Sequence, residues 1–440
     1  MGTRHAVSLS VKGRYVQRVA MLAVHSSPLA VIGSREAGGM NVYVRELARE
    51  LGRQGVAVDI FTRSQRRGEP MIVEIGTNAR VITLRTGPAA PYDKNWVLDY
   101  LPEFVSRIRC FADGQDLHYD LLHSHYWLSG VAALELRKMW GAPVVHMFHT
   151  LGAMKNQVAV APIWGETDER MRIEARLLQE ADMIVAATPL DRAQMQFHYG
   201  ADGDRIVVIP GGVDTRVFRP YDQAEARRRL KLPAAPTRLV LFVGRIEPLK
   251  GLDTLIQAMS HLRDPDTRLI VVGGDAHARE DQWSGEERRL RALAQELQLN
   301  DRVTFIGSRP QAQLPLLYSA ADVVAVPSRY ESFGLVALEA QACGTPVVAS
   351  RTGGLIYTVR DGLSGFLAPA DDPRAFAARI RQLVDHEGLR EEMGAHAIRN
   401  AQAYDWSVIA RQMLDLYATV EQQRRPAYAI EPVVIPRCAV

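Results

Sequence analysis

Residues 327–340 read Pro327-Ser328-Arg329-Tyr330-Glu331-Ser332-Phe333-Gly334-Leu335-Val336-Ala337-Leu338-Glu339-Ala340, directly after the apolar run Val323–Val326. Four β-branched or small apolar residues stopped by a proline read as a strand buried on both faces. A helix is expected to begin near Phe333, with Glu331 just before it and Glu339 two turns in. The stretch is therefore a βα unit whose acids stand at the carboxyl end of a strand, where open α/β sheets bind their ligands. Glu339 is bracketed by Ala337, Leu338 and Ala340. Burying a carboxylate among such neighbours without a partner is costly. Two carboxylates here suit the hydroxyls of a sugar or ribose; the same pattern also fits a helix cap at Glu331 and a structural ion pair at Glu339.

Strand-then-helix punctuation recurs on both sides of this unit. Upstream, Arg18–Val24, Ala57–Thr62, Arg80–Leu84, Leu121–His125, Val144–His149, Met183–Ala187 and Ile206–Ile209 read as strands of one parallel sheet. Leu239–Val243, Arg268–Val272, Val303–Ile306, Val323–Val326, Val347–Ala349 and Phe366–Leu367 read as a second. Between them lie Pro210-Gly211-Gly212-Val213-Asp214, Pro220, a charged helix from Gln223 to Leu230, and Pro233, a joint between domains. The expected architecture is α/β, with two doubly wound domains, 1–212 and 213–405, facing each other across a cleft. A closing amphipathic helix follows within 406–425, and residues 426–440, with three prolines, read as an irregular tail.

Each expected domain opens with a glycine-bearing loop. After the first strand come Gly38-Gly39-Met40-Asn41 and a helix from about Asn41 to Gln54. Paired glycines at a helix N-terminus let backbone N–H groups approach an anion or sugar, and they also serve as a plain tight turn. The second domain opens with Gly244-Arg245-Ile246-Glu247-Pro248-Leu249-Lys250-Gly251. A forked guanidinium, a point charge and a helix dipole of the same sign suit a diphosphate, although two solvated loop cations fit the spacing too. His123 and His125 share a strand face, and His146 and His149 end the next strand; with no cysteine or carboxylate at ligand spacing, no metal site is assigned. His149, followed by Thr150, stands at the cleft. Asp202/Asp204 and Asp264/Asp266 precede strands, on the wrong sheet edge for a nucleotide, and read as turn chemistry.

Composition sets the outer bounds. The chain has 440 residues, 53 Lys+Arg against 50 Asp+Glu, and 47% hydrophobic residues. Such a balance suits a globular protein and leaves no charge footprint for a nucleic-acid partner. Three scattered cysteines make no disulfide framework, and no apolar run is long enough to span a bilayer, so a cytoplasmic protein without integral membrane association is expected. Neither a P-loop nor a Gly-x-Ser-x-Gly elbow is present.

The Glu331…Glu339 spacing, the Gly38-Gly39 loop, the Gly244-Arg245…Lys250 loop and the Gly353-Gly354 turn together resemble the retaining GT-B glycosyltransferases of family GT4. The likeness extends to about residue 420 and implies the GT-B fold, two Rossmann-like domains. His25-Ser26-Ser27-Pro28-Leu29, Ala37–Val44, His125–Gly130 and His149-Thr150-Leu151 resemble the branch that transfers N-acetylglucosamine from its UDP ester to 1D-myo-inositol 3-phosphate in mycothiol biosynthesis. Gly87-Pro88-Ala89…Asp93-Lys94…Tyr100-Leu101-Pro102-Glu103-Phe104 resembles members that use UDP-glucose and fructose 6-phosphate. The resemblance implies a UDP-sugar donor held by Gly39, Arg245, Lys250, Arg309, Glu331, Phe333, Gly334, Leu335 and Glu339. It implies a small phosphorylated acceptor held by Asn41, Lys94, Tyr126, Thr150 and Arg170, with His149, Glu331, Arg245 and Lys250 as the catalytic set. Magnesium and a homodimer are compatible with it, though no side chain here demands a cofactor. A noncatalytic nucleotide-sugar-binding protein is the alternative on the same fold.

Overall fold

The computed structural model describes residues 16–30, 38–65, 67–88, 94–158, 165–262, 264–275 and 280–424. The expected tail, 426–440, lies outside them. Strands β1 (Arg18–Leu22), β2 (Ala57–Arg63), β3 (Ile72–Gly76), β4 (Ala79–Leu84), β5 (Leu121–His125), β6 (Val144–Met147), β7 (Met183–Ala186) and β8 (Ile206–Val208) form one sheet, ordered β3-β4-β2-β1-β5-β6-β7-β8. Strands β9 (Arg238–Val243), β10 (Thr267–Val272), β11 (Val303–Phe305), β12 (Val323–Val326), β13 (Val347–Ser350) and β14 (Gly365–Ala368) form the other, ordered β11-β10-β9-β12-β13-β14. Both doubly wound α/β sheets expected from the sequence are present.

All but one of the strand pairings are parallel. The exception, β3, runs antiparallel to β4 with a bulge between Glu74 and Gly76, an edge that the sequence reading omitted. Ile72 and Glu74 face water while Ile75 is buried, so its alternation is that of a one-sided edge strand rather than of the doubly covered strands used as the template. The central strands meet that template: β5, β6, β7, β12 and β13 are buried at every position.

The chain leaves the first sheet through Gly211-Gly212 and returns beside the same point. Val213 N–H donates to the Tyr404 carbonyl (2.9 Å), and Trp406 N–H donates to the Val213 carbonyl (3.2 Å). Gly212 is required there, because a Cβ would lie 2.7 Å from the Trp406 ring. The closing helix, Trp406–Arg424, then packs on the first sheet's leading helix, Gly39–Arg53. Trp406 meets the ring of Tyr43 edge-on at 5.3 Å, and Gln54 donates to the Ser407 carbonyl. Further along, the Tyr417 hydroxyl sits 2.7 Å from Nδ1 of His123 on β5, with both residues buried. Among the described residues no helix is long and apolar enough to cross a membrane.

Removing the Tyr417 hydroxyl leaves a buried imidazole nitrogen without its partner. Tyr417→Phe is expected to lower stability by about 1 kcal/mol or more, read from the midpoint of urea unfolding at neutral pH. An unchanged midpoint would mean that this contact does not hold the closing helix to the first sheet.

Candidate functional site

A cavity of about 780 Å³ separates the carboxyl ends of the two sheets. Of the residues expected at a site, Gly39, Asn41, Tyr126, His149 and Thr150 line it from the first sheet's side. Arg245, Lys250, Arg309, Glu331, Phe333, Gly334, Leu335 and Glu339 line it from the other. Its size and mixed lining are those of a small-molecule site.

On the second side, Lys250 Nζ donates to Glu331 Oε2 at 2.6 Å, and Ser328 Oγ lies 3.4 Å from the same oxygen. This pair exists because three loops pack backbone against backbone. A Cβ on Gly251, whose φ is +63°, would lie 2.0 Å from the Pro327 carbonyl oxygen. One on Gly353, φ +50°, would lie 2.0 Å from the carbonyl oxygen of Glu331, which accepts from Gly354 N–H at 2.7 Å. Only glycine allows either approach. Arg329 braces the other flank: its N–H donates to the Leu249 carbonyl and its guanidinium bonds to Pro248 O, Asp253 and Asp371. Arg245 is drawn to Glu247 at 2.9 Å and stays partly exposed in the cleft. Gly334 caps the helix Leu335–Ala342, so its first N–H groups open toward the cavity.

Glu339 is buried and accepts from the Tyr318 hydroxyl at 2.7 Å. Burial raises its pKa to about 7, against hydrogen bonds from Tyr318 and Gln311 and the attraction of Arg45. The acid suspected of a buried role is thus buried, held by a tyrosine and still at the cavity wall.

On the first side the glycine pair is a point of close approach between the two walls. A Cβ at Gly38 would come within 3.4 Å of Arg245 Nε, and one at Gly39 within 3.4 Å of Leu335 Cδ1. Asn41 is committed to the loop itself: its carbonyl oxygen accepts from Gly38 N–H, and its amide donates to Ser26 Oγ and the Ser27 carbonyl, both at 2.7 Å. Tyr126 (φ +74°, ψ 152°) and His149 (φ +59°) end β5 and β6 in conformations that non-glycine residues avoid. Both strained residues point at the cavity. The His149 carbonyl accepts from Ser332 Oγ across the cleft, and its Nε2 lies 3.0 Å from His125 Nδ1.

One expectation for the acceptor side needs revision. Arg170 does not line the cavity: its fully buried guanidinium bonds Glu174 (2.7 Å), Glu166 (2.8 Å), the Tyr126 hydroxyl (2.9 Å) and the Thr150 carbonyl (2.7 Å). A helix placed behind the cleft, rather than a loop at its rim, explains this; Arg170 supports the two residues that do face the cavity. Arg63, at the end of β2, is also buried at the cleft and donates to the Ser64 and Pro88 carbonyls. Lys94 begins a 3-10 turn, Lys94–Tyr100, and its side chain lies outside the described residues. Sequence reasoning missed Lys155, which lines the cavity from the helix Gly152–Val158; the lone cation in Met154-Lys155-Asn156 carried no motif.

No group of three or more His, Cys, Asp or Glu side chains among the described residues is placed to hold a metal. Glu331 is held by Lys250 and Glu339 by Tyr318, so these carboxylates do not form a magnesium cradle. The histidines are instead a neutral cluster. Burial pushes His123, His146 and His149 down to about 3, and His125 also falls well below its usual range. At neutral pH His149 can exchange hydrogen bonds but brings no charge.

Residues 37–217 match the model of Glycosyltransferase Family 4, and residues 223–400 that of Glycosyl transferases group 1. D-inositol 3-phosphate glycosyltransferase from Acidothermus cellulolyticus is 42% identical over 418 residues, covering 93% of this chain and 92% of that protein. The chain belongs to this glycosyltransferase family. A second relative of the same name, from Corynebacterium glutamicum, shares 40% over 407 residues, 91% of this chain and 96% of its own. Among solved structures, sucrose-phosphate synthase from Thermosynechococcus elongatus superposes on this glycosyltransferase with a TM-score of 0.85 and 36% identity, covering 92% of the present chain and all of its own. Anabaena Alr3699/HepE in complex with UDP-glucose (TM-score 0.70, 21% identity, 91% of this chain and 99% of that one) supports the fold alone.

The neutral histidine cluster makes the stability of this glycosyltransferase depend on acidity. Unfolding releases imidazoles that titrate near 6.5, so between about pH 3 and 6.5 the unfolded chain binds more protons and stability falls as pH is lowered. Glu339 and Asp191, both raised to about 7 by burial, work in the opposite sense above about pH 4, but they are two against four. The melting temperature is expected to drop between pH 7.5 and pH 5. A value that holds or rises over that interval would place the imidazoles in contact with water.

Proposed function

We propose that the enzyme transfers a hexosyl group, N-acetylglucosamine, from its UDP ester to 1D-myo-inositol 3-phosphate, with retention at the anomeric carbon. The observation that carries this reading is the Lys250–Glu331 pair, set at the carboxyl end of the second sheet and facing the glycine-opened helix of the first. The 40–42% identical relatives named for inositol 3-phosphate support the acceptor.

In this reading the donor diphosphate lies between Arg245, Lys250 and the N-terminal amides of the helix Leu335–Ala342. Each supplies positive potential where charge grows as UDP departs. Glu331 and Glu339 accept from donor hydroxyls, Glu331 turning from Lys250 as the diphosphate takes its place. Arg309 and Gly39 complete the donor's surroundings, and Phe333 with Gly334 shapes the wall beneath it. The acceptor enters past Tyr126 and Thr150, with His149 oriented to it, Lys94 among its ligands by resemblance, and Arg170 steadying Tyr126 and Thr150 from behind. Its hydroxyl attacks C1 on the face that UDP leaves. The C1–O bond to phosphate breaks, the new C1–O bond forms, and the hydroxyl proton passes to a departing phosphate oxygen. Neutral His149 orients this encounter without taking the proton. We place the reaction in the cytoplasm, with its nucleotide-sugar donor.

A second reading, glucose transfer to fructose 6-phosphate, draws on the 36% identical sucrose-phosphate synthase. Both acceptors carry a phosphate, so one assay separates them. UDP release is measured for UDP-N-acetylglucosamine and UDP-glucose, each with inositol 3-phosphate and fructose 6-phosphate, and the product is identified by mass. Turnover is expected with the first member of each pair; turnover confined to UDP-glucose and fructose 6-phosphate selects the second reading, and none with a broad acceptor panel removes both. Lys250→Ala is expected to cut kcat by about a hundredfold or more while leaving the melting temperature within a few degrees. Wild-type turnover in that variant would show the diphosphate is held elsewhere.

A further inference from the structure

Glu339 belongs to the second sheet, yet one of the groups that governs it stands on the first. Arg45 lies on the helix Gly39–Arg53 with 15% of its side chain exposed, and it does not line the cavity. Its Nε donates to Glu46 Oε1 at 2.8 Å, and Arg49 donates to the same oxygen at 3.2 Å, so Glu46 is anchored from two sides. The Nη2 group of Arg45 then leaves its own unit and donates to Oε1 of Gln311, in the 3-10 turn Gln311–Gln313 of the second. With that oxygen taken, the amide of Gln311 keeps its N–H groups for another acceptor. Its side chain bonds to Glu339, which also accepts from the Tyr318 hydroxyl at 2.7 Å.

Arg45, Gln311 and Glu339 thus form a chain of hydrogen bonds that crosses from one unit to the other. A cation at the oxygen of an amide polarises it and strengthens the donor at its nitrogen. Arg45 also acts through space, drawing Glu339 toward its ionised form against burial and against the like charge of Glu46. The other titratable neighbours stay as they are near neutral pH. Tyr318, on the helix Leu314–Ala320, and Cys343, which ends Glu339's own helix, keep their protons because burial disfavours their anions. The helix that carries Arg45 meets the second unit at both ends, through Gly39 against Leu335 and through Gln54 on the Ser407 carbonyl. The reach of Arg45 to Gln311 therefore depends on how the two units sit.

We propose that Arg45 is a positioning residue for the donor: from the first unit, through Gln311, it holds Glu339 ready to accept from donor hydroxyls. The consequence is a coupling of the two walls. Glu339 is a full hydrogen-bond acceptor only while the first unit is close enough for Arg45 to reach across, and a donor bound to Glu339 in turn favours that approach. This inference rests on the donor position given under the proposed function and reaches beyond it by naming the group that readies the acid.

Calorimetry on the full chain with UDP-N-acetylglucosamine, without acceptor, from pH 6 to pH 8.5 tests it. In Arg45→Met the titration of Glu339 moves upward. Donor binding is then expected to be weaker than in wild type by about fivefold or more at pH 7, but by less than about twofold at pH 8.5, where Glu339 is ionised in both. Gln311→Met is expected to show the same pattern to a lesser degree and Arg45→Lys to recover part of the loss, all three melting within a few degrees of wild type. An arginine that served only the packing would give an equal loss at every pH. Such an even loss overturns the proposal, and so does an affinity within about twofold of wild type at pH 7 in Arg45→Met. Glu339→Gln separates this failure from that of the reading beneath it. Weak donor binding in Glu339→Gln beside normal binding in Arg45→Met removes this inference alone; normal binding in Glu339→Gln removes the donor position and this inference with it. Donor affinity that follows Arg45 in a protein without sugar transfer keeps the inference and removes the proposed function.

Discussion

Lys250 meets Glu331 at 2.6 Å because three loops at the second sheet's edge press together without side chains between them. Gly251 lies against the Pro327 carbonyl and Gly353 against that of Glu331, each closer than any Cβ permits. The consequence is rigidity where a catalytic surface needs it: the carboxylate's backbone is clamped from both sides, and only its side chain is left to move. The ion pair itself is partly open to water and adds little to stability. Its value is positional, because it keeps an ammonium and a carboxylate at the cleft in the empty protein, ready for ligands of opposite kinds.

Across the cavity the first sheet solves a different problem. Four imidazoles stand at or behind its wall, three of them fully buried and His149 facing the cavity, all neutral near pH 7. Neutral rings let the strands β5 and β6 bring polar atoms to the cleft without the desolvation cost of charge. The cations on this side are held apart from that cluster and matched with acids: Arg170 with Glu166 and Glu174, and Lys155 with Glu166. One wall is therefore charged in its loops; the other is neutral where β5 and β6 end, with its charge in Arg63 at the end of β2 and in the residues behind.

Much of this was legible in the residues. Leu121–His125 and Val323–Val326 were bounded correctly because strands covered on both faces are unbroken apolar runs. The Gly38-Gly39 and Gly244–Gly251 loops were seen as cleft elements because glycine and clustered cations mark close approach to an anion. What failed, failed for stated reasons. β3 is an edge strand with one wet face, so it lacks the continuous run that marked its neighbours. Arg170 was assigned to the acceptor by resemblance; Glu166 and Glu174 stand four residues to either side in the sequence, but only the fold shows that both enclose it behind the cleft. Lys155 and Arg63 carried no local pattern, and only the fold brings them to the cavity. The strain at Tyr126 and His149 is likewise invisible before the backbone is placed, since neither residue type announces a positive φ.

The closing helix crosses back from the second sheet to cover the first. Trp406 and Tyr417 pack against Tyr43 and His123, residues translated more than 280 positions earlier. A nascent chain emerging from the ribosome would thus expose the first sheet's helix Gly39–Arg53 and the His123 face of β5 until nearly all of the second unit had been made. The usual order, in which an N-terminal domain completes itself before its successor appears, does not hold here. The first unit's surface is completed only when the closing helix has been made, so that face is the one left open to another partner during synthesis.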